Sequence, residues 1–210
     1  MRVRPIRRSV LADELAERLT GGGPGRPGRR RVLLDGAPPT DPLELADRLA
    51  AELRLRGRPV LRVVAGDFLR PASVRLEHGR TDPDELLDGW LDTAGLRREV
   101  LDPAGAGGTG WVLPRLWDTA ADRAYRDDRV ELADNAVLLL VGSLLLGRGL
   151  PAELAVHLWM SAAALGRRLE PDRRWMLPAY ARYESEHDPR NAADVLVLAD
   201  DPQRPALVQR

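Results

Sequence analysis

The chain has no cysteine, no lysine, a single phenylalanine and few aromatic residues of any kind. Without cysteine there can be no disulfide framework, thiolate metal site or cysteine nucleophile, and a reducing cytoplasm is the simplest setting. Without lysine there can be no Schiff base and no lysine on a transferred phosphoryl group; every permanently cationic side chain is Arg. Part of this reflects a composition loaded with Arg, Ala, Gly, Pro and Leu. Long hydrophobic runs are also missing. The longest, 136–141, is far too short to span a bilayer, and the opening "MRVRPIRRSVLADELAERL" has arginines but no apolar core of signal length. A soluble cytoplasmic protein without a membrane partner is therefore expected. Neither charge sign dominates: 32 basic and 32 acidic residues are interspersed, so no general field draws the chain to nucleic acid. Any phosphate recognition must be local. Mixed charge and several apolar surface candidates leave room for a homodimer.

What is present fits a core-forming length of 210 residues. Residues 9–19 read as an amphipathic helix with Ser9 as N-cap, ended by the Gly/Pro stretch "TGGGPGRPGRR". Residues 1–30 thus form a helical arm and linker, and 31–210 the main domain, with a lid region around 165–190. "RVLLD" is consistent with a buried strand. Over 42–55 the apolar residues Leu43, Leu45, Ala46, Leu49, Ala50 and Leu53 are spaced for one helical face, and "RPVLRVVAGDF" reads as a second strand closing a right-handed βαβ unit. Asp82 with Pro83 starts another helix. "GWVLPRLWD" and "DRVELADN" are candidates to pair as short strands. "AVLLLVG" belongs in the sheet centre, "ELAVHLWM" is a further strand, and "SAAALGRRL" and the Pro-interrupted "RRWMLPAYARYESEHDP" are helices. "ADVLVLADDP" closes the sheet. The alternation argues for a three-layer α/β/α doubly wound parallel sheet.

The turn after the first core strand has the frame of a phosphate-binding loop. Such a loop reads Gly, four residues, Gly, Lys, then Ser or Thr. Counting from Gly36, the second Gly, the Lys and the hydroxyl fall on Asp41, Pro42 and Leu43. Prolines 38, 39 and 42 have no N–H to donate. Asp41 reads as an N-cap with Glu44 as its capping-box partner. A carboxylate about 4 Å from a phosphate charge costs roughly 4 kcal/mol at an effective dielectric near 20, more than the helix-end attraction of about 0.3–1 kcal/mol. "GAGGTG" at 105–110 has dinucleotide spacing but neither the preceding strand nor the following helix. His78, His157 and His187 are too scattered for a metal site, with His157 in an apolar strand reading as structural. No G-x-S-x-G elbow occurs. The tryptophans are mostly core candidates, Trp117 being the one best placed to stack a base.

Taken in order, "RVLLDGAP", "VAGDFLRP", "LPRLWDTAADR", "VLLLVGSLLL", "LGRRL" and "AYARYE" with "NAADVLVLADDP" resemble the uridine kinase and phosphoribulokinase branch of the P-loop NTPases, across 31–202. The resemblance implies ATP-dependent phosphorylation of uridine or cytidine at the 5′-hydroxyl, with ATP and Mg2+ as cofactors and a nucleoside or nucleotide as partner. It implies Asp67 as the base, Trp117, Asp118, Arg123 and Arg70 as nucleoside-binding residues, and Gly36, Thr40, Arg167, Arg168, Arg173 and Arg174 on the phosphates. The chain departs from the pattern in its loop and at Val141, where the family has an acid that organises magnesium; Asp35, Asp67 and Glu77 are the remaining carboxylates within reach. These departures support an alternative: a catalytically inactive relative acting as a nucleoside-sensing or protein-interaction module.

Overall fold

The computed structural model describes residues 2–21 and 28–209. Most of the linker at 20–30 therefore lies outside the described residues. Seven strands form the main sheet: β1 (Arg2–Pro5), β2 (Arg30–Gly36), β3 (Val60–Val64), β4 (Val137–Gly142), β5 (Leu154–Trp159), β6 (Val195–Leu198) and β7 (Ala206–Gln209), in the order β1-β7-β6-β5-β2-β4-β3. From β6 to β3 all neighbours are parallel, while β7 adds antiparallel to β6 and β1 antiparallel to β7. The expected α/β doubly wound sheet is present.

Period-two alternation divides the core. Val32 and Leu34 of β2, with Leu139 and Val141 of β4, pack against helices α1 (Arg8–Thr20) and α2 (Pro42–Leu55). Leu33, Leu138 and Leu140 instead face the core that holds α3 (Pro83–Asp88), α4 (Ala162–Arg168) and α5 (Leu177–Glu186). Two of the helix starts have a clear physical cause. The Asp82 carboxylate accepts from Asp84 N–H and Glu85 N–H at 2.9 and 3.0 Å ahead of Pro83, and Ser161 caps α4.

Several sequence expectations need correction. Helix α1 starts at Arg8 with no side-chain cap, so Ser9 lies inside it. Strand β4 is interior, between β2 and β3, but the middle of the seven is β5; β2 and β3 are consequently not neighbours. Strand β6 does not close the sheet, because β7 and β1 extend it. Both are four residues long, and β1 is the edge strand, where the missing N–H of Pro5 costs least. The short pairing of Trp111–Val112 with Val130–Glu131 occurs as expected.

The N-terminal segment is therefore built into the fold rather than standing off as an arm: Ile6, Leu11 and Leu15 share a core with α2, β2 and β5. Leu15 is 2% exposed, so Leu15→Ala is expected to cost about 2–5 kcal/mol in urea unfolding of the whole chain. An unchanged midpoint would contradict the shared core.

Candidate functional site

The turn leaving β2 is closed on itself. Pro38–Thr40 forms one turn of 3-10 helix, in which Thr40 N–H and the Thr40 hydroxyl both donate to Ala37 O, at 2.8 and 2.7 Å, and Asp41 N–H donates to Pro38 O at 3.0 Å. Asp41 is left-handed (φ 51°), and its carboxylate accepts from Glu44 N–H at 3.2 Å. Only half of the expected capping box forms, because the Glu44 carboxylate turns to Arg8 and Arg48. Gly36 has no room for a Cβ, which would meet the Thr40 hydroxyl and approach Leu158 Cβ to 3.0 Å. Outside the turn, the Arg8 guanidinium takes Thr40 O, Asp41 O and Glu44 as acceptors. A phosphate cradle aims N–H groups at an anion. This turn uses its N–H groups internally and aims carbonyls at a cation. Gly36 and Thr40, expected on phosphate, instead close the turn, with Thr40 wholly buried. A triphosphate with its magnesium does not fit here.

One residue back, the Asp35 carboxylate is fully buried. Oδ1 accepts from Leu145 N–H at 2.9 Å; Oδ2 accepts from the Tyr183 hydroxyl at 3.0 Å and lies 2.7 Å from His157 Nδ1. The opposite ring nitrogen, Nε2, is 3.5 Å from Glu184 Oε1. Burial alone would lower the His157 pKa, but the flanking carboxylates of Asp35 and Glu184 prevail and push it up to about 9. The Tyr183 hydroxyl, buried against Asp35, is held well above its ordinary range. Asp35, paired in this way, is no candidate for magnesium. Glu77 is exposed on a distant turn, and among the described residues no three His, Cys, Asp or Glu cluster as a metal site.

A cavity of about 490 Å³ opens at the carboxyl ends of β3 and β4, between the closed turn and α5. This edge of a parallel sheet is where ligands bind in such folds. Trp90, Ser143, Arg148, Arg173, Met176 and Tyr180 are among its walls. The Trp90 Nε1–H is buried without a hydrogen-bond partner, its ring tilted against Trp175 with centroids 5.7 Å apart. Burial pushes the Tyr180 hydroxyl up to about 12, opposed by Ser143 and Arg173. Burial draws the Arg148 guanidinium down, opposed by Asp88.

The residues assigned by resemblance are distributed unevenly around this cavity. Arg173 lines it. Arg168 instead donates to Asp200 O at 3.0 Å and pairs with Asp201, while Arg167 and Arg174 are exposed. Asp67 sits in the 3-10 turn just after β3. Burial raises its carboxyl, with Arg115 and Tyr125 opposing. Trp117, Asp118 and Arg123 are together in a two-residue antiparallel ladder, Trp117–Asp118 against Arg123–Ala124. There Trp117 Nε1–H donates to Asp122 and Asp118 accepts from Ala120 and Ala121 N–H; Arg123 is exposed. Arg70 hydrogen-bonds through its backbone to Trp90 O and Arg75. Arg148, Tyr180 and Tyr183 go unread in the sequence, where His157 reads as structural, Asp35 as a carboxylate within reach of magnesium and Trp90 as a core candidate, each without its associations. The one available signal was an Asp near the end of one apolar strand and a His inside another.

The strand order 6-5-2-4-3 across the parallel strands, with a turn and helix after the central strand, defines the P-loop kinase fold. Two solved structures carry the comparison. A possible uridine kinase from Bacillus stearothermophilus matches with a TM-score of 0.69 and 19% identity, covering 88% of this chain and 96% of its own. A protein from Silicibacter sp. TM1040, described as a fructose transport system kinase, matches with a TM-score of 0.61 and 26% identity, covering 89% and 92%. No protein-family model and no curated protein sequence matches the chain. The uridine-kinase-like architecture expected from motif order is thus present as a fold. No helix among the described residues is long and apolar enough to cross a membrane.

The paired His157 sets a pH dependence. Its pKa is near 6.5 unfolded and about 9 folded, so its stabilising contribution is complete below pH 6.5 and disappears as pH rises through 9. The loss is on the order of 3 kcal/mol. Melting temperature should fall across that window while the imidazole, followed by NMR, titrates near 9. Titration near 6.5 would contradict the pairing.

Proposed function

We propose that the protein is a small-molecule binding module on a nucleoside-kinase fold, taking a nucleoside or its monophosphate without transferring phosphate. The closed turn after β2 carries this reading: its N–H groups are used internally and its carbonyls hold Arg8. The cavity at the ends of β3 and β4 supplies the binding surface. The Trp90 N–H edge and the Tyr180 hydroxyl suit the polar edge of a base or sugar, and Arg148 with Arg173 suits a phosphate. Protein interaction is the remaining form of the inactive reading if no small molecule binds.

A phosphotransferase reading has one observation in its favour. Asp67 follows β3, and its carboxyl is raised by burial, as a general base on a sugar hydroxyl requires. Uridine or cytidine with MgATP would then give the 5′-monophosphate and ADP.

Calorimetry and product analysis separate the two. Uridine or UMP is expected to bind, MgATP at millimolar concentration is not, and no ADP forms from uridine with MgATP. Arg173→Met should weaken UMP about tenfold and uridine much less. Accumulation of ADP and UMP that Asp67→Asn abolishes would overturn the proposal in favour of the kinase.

A further inference from the structure

Strand β2 exits to α2 on one face of the sheet, whereas its neighbour β5 exits to α4 and α5 on the other. A crevice between two such strands is a favoured place for ligands in an open α/β sheet. Here it holds a cavity of about 350 Å³, separate from the one at β3 and β4 and divided from it by Leu144 and Tyr180, which line both. Its walls are mostly apolar and include Leu158, Met160, Leu165 and Leu177. The volume is at the compact end for a ligand pocket.

The polar end is unusual. The His157 side chain is 5% exposed and anchored by Asp35 through Nδ1, and its Nε2 is buried with no hydrogen-bond partner. The nearest anion is Glu184, at 3.5 Å. That carboxylate is loosely committed: its side chain is 37% exposed at the cavity mouth, and it accepts one hydrogen bond, from Trp159 Nε1 at 3.2 Å.

We propose that this cavity binds a compact apolar molecule carrying one carboxylate, which replaces Glu184 on His157 Nε2 while its hydrocarbon lies against Met160 and the leucines. Charge complementarity selects the class. An imidazolium held between Asp35 and a second carboxylate stays balanced when a ligand carboxylate takes the place of Glu184 and Glu184 turns outward to water. A neutral ligand would exchange a charged partner for a weaker one, and a cation would be repelled. The site stands independently of the nucleoside reading.

The probe is hexanoate, with hexanamide as its uncharged counterpart, titrated into the full chain and into Glu184→Ala by calorimetry and by NMR of the imidazole nitrogens. Glu184 is a helix surface residue, so the variant should remain folded. Hexanoate is expected to saturate the wild-type protein, to move the His157 Nε2 resonance, and to bind Glu184→Ala about fivefold to tenfold more tightly. Hexanamide should be at least about tenfold weaker, and uridine should not compete. The proposal is overturned by any of four results: no saturable binding of hexanoate to either protein up to about 20 mM, equal binding of hexanamide, an unmoved His157 signal, or unchanged affinity in Glu184→Ala.

Discussion

A single buried carboxylate holds the carboxyl edge of the sheet together. Asp35 has no exposed surface, and an unpaired charge in such a place would be heavily penalised. It is matched by three donors from three segments: the backbone after β4, the imidazole of β5 and the phenol of α5. Removing one partner of a buried pair typically costs about 3–5 kcal/mol, because the other charge stays behind. The group therefore fixes α5, through Tyr183, to the sheet. Tyr183 is a strut and Tyr180, one turn earlier, is the wall between two cavities.

The same edge explains why the first turn closes as it does. With Asp35 engaged below and prolines at 38, 39 and 42 above, little backbone N–H remains to face a ligand. Helix α1 completes the change of polarity by delivering Arg8 to the outward carbonyls and to Glu44. The N-terminal segment that supplies Arg8 is itself anchored by the β1 and β7 pair and by the core beneath α1 and α2. A kinase frame and an inverted loop are thus one construction: the helix that a phosphate loop would start with bound anion is started here by Asp41 and neutralised from outside by Arg8.

Much of this was legible in the chain. Apolar runs such as "VLLLVG" and "LAVHLW" declare buried parallel strands because both faces are covered, and Asp41 with Pro42 declares a helix start by its chemistry. The order of motifs carried the architecture. The two four-residue strands at the far side of the sheet left no comparable trace: β1 is largely exposed, and β7 beside it buries only Val208 fully. The site was the least legible part. Asp35 and His157 are partners only because β2 and β5 lie side by side, a relation 122 residues apart in sequence. Trp90 and Arg148, also far apart in sequence, likewise meet only at the cavity by the ends of β3 and β4. The lid arginines divide: the exposed end of α4 lets Arg168 reach Asp200 and Asp201, whereas Arg173 lines the cavity at β3 and β4.

The turn after β2 spends its Thr40 and Asp41 N–H groups on its own carbonyls, as a loop serving the fold, rather than a phosphate, would. The backbone amide resonances of Thr40, Asp41 and Glu44, followed by NMR during titration with MgATP, test this role most directly. All three should be protected from exchange in the free protein and remain in place through millimolar nucleotide, as expected of N–H groups already bonded to Ala37, Pro38 and Asp41. Saturable movement of these amides with MgATP, accompanied by release of the Arg8 side chain, would contradict it.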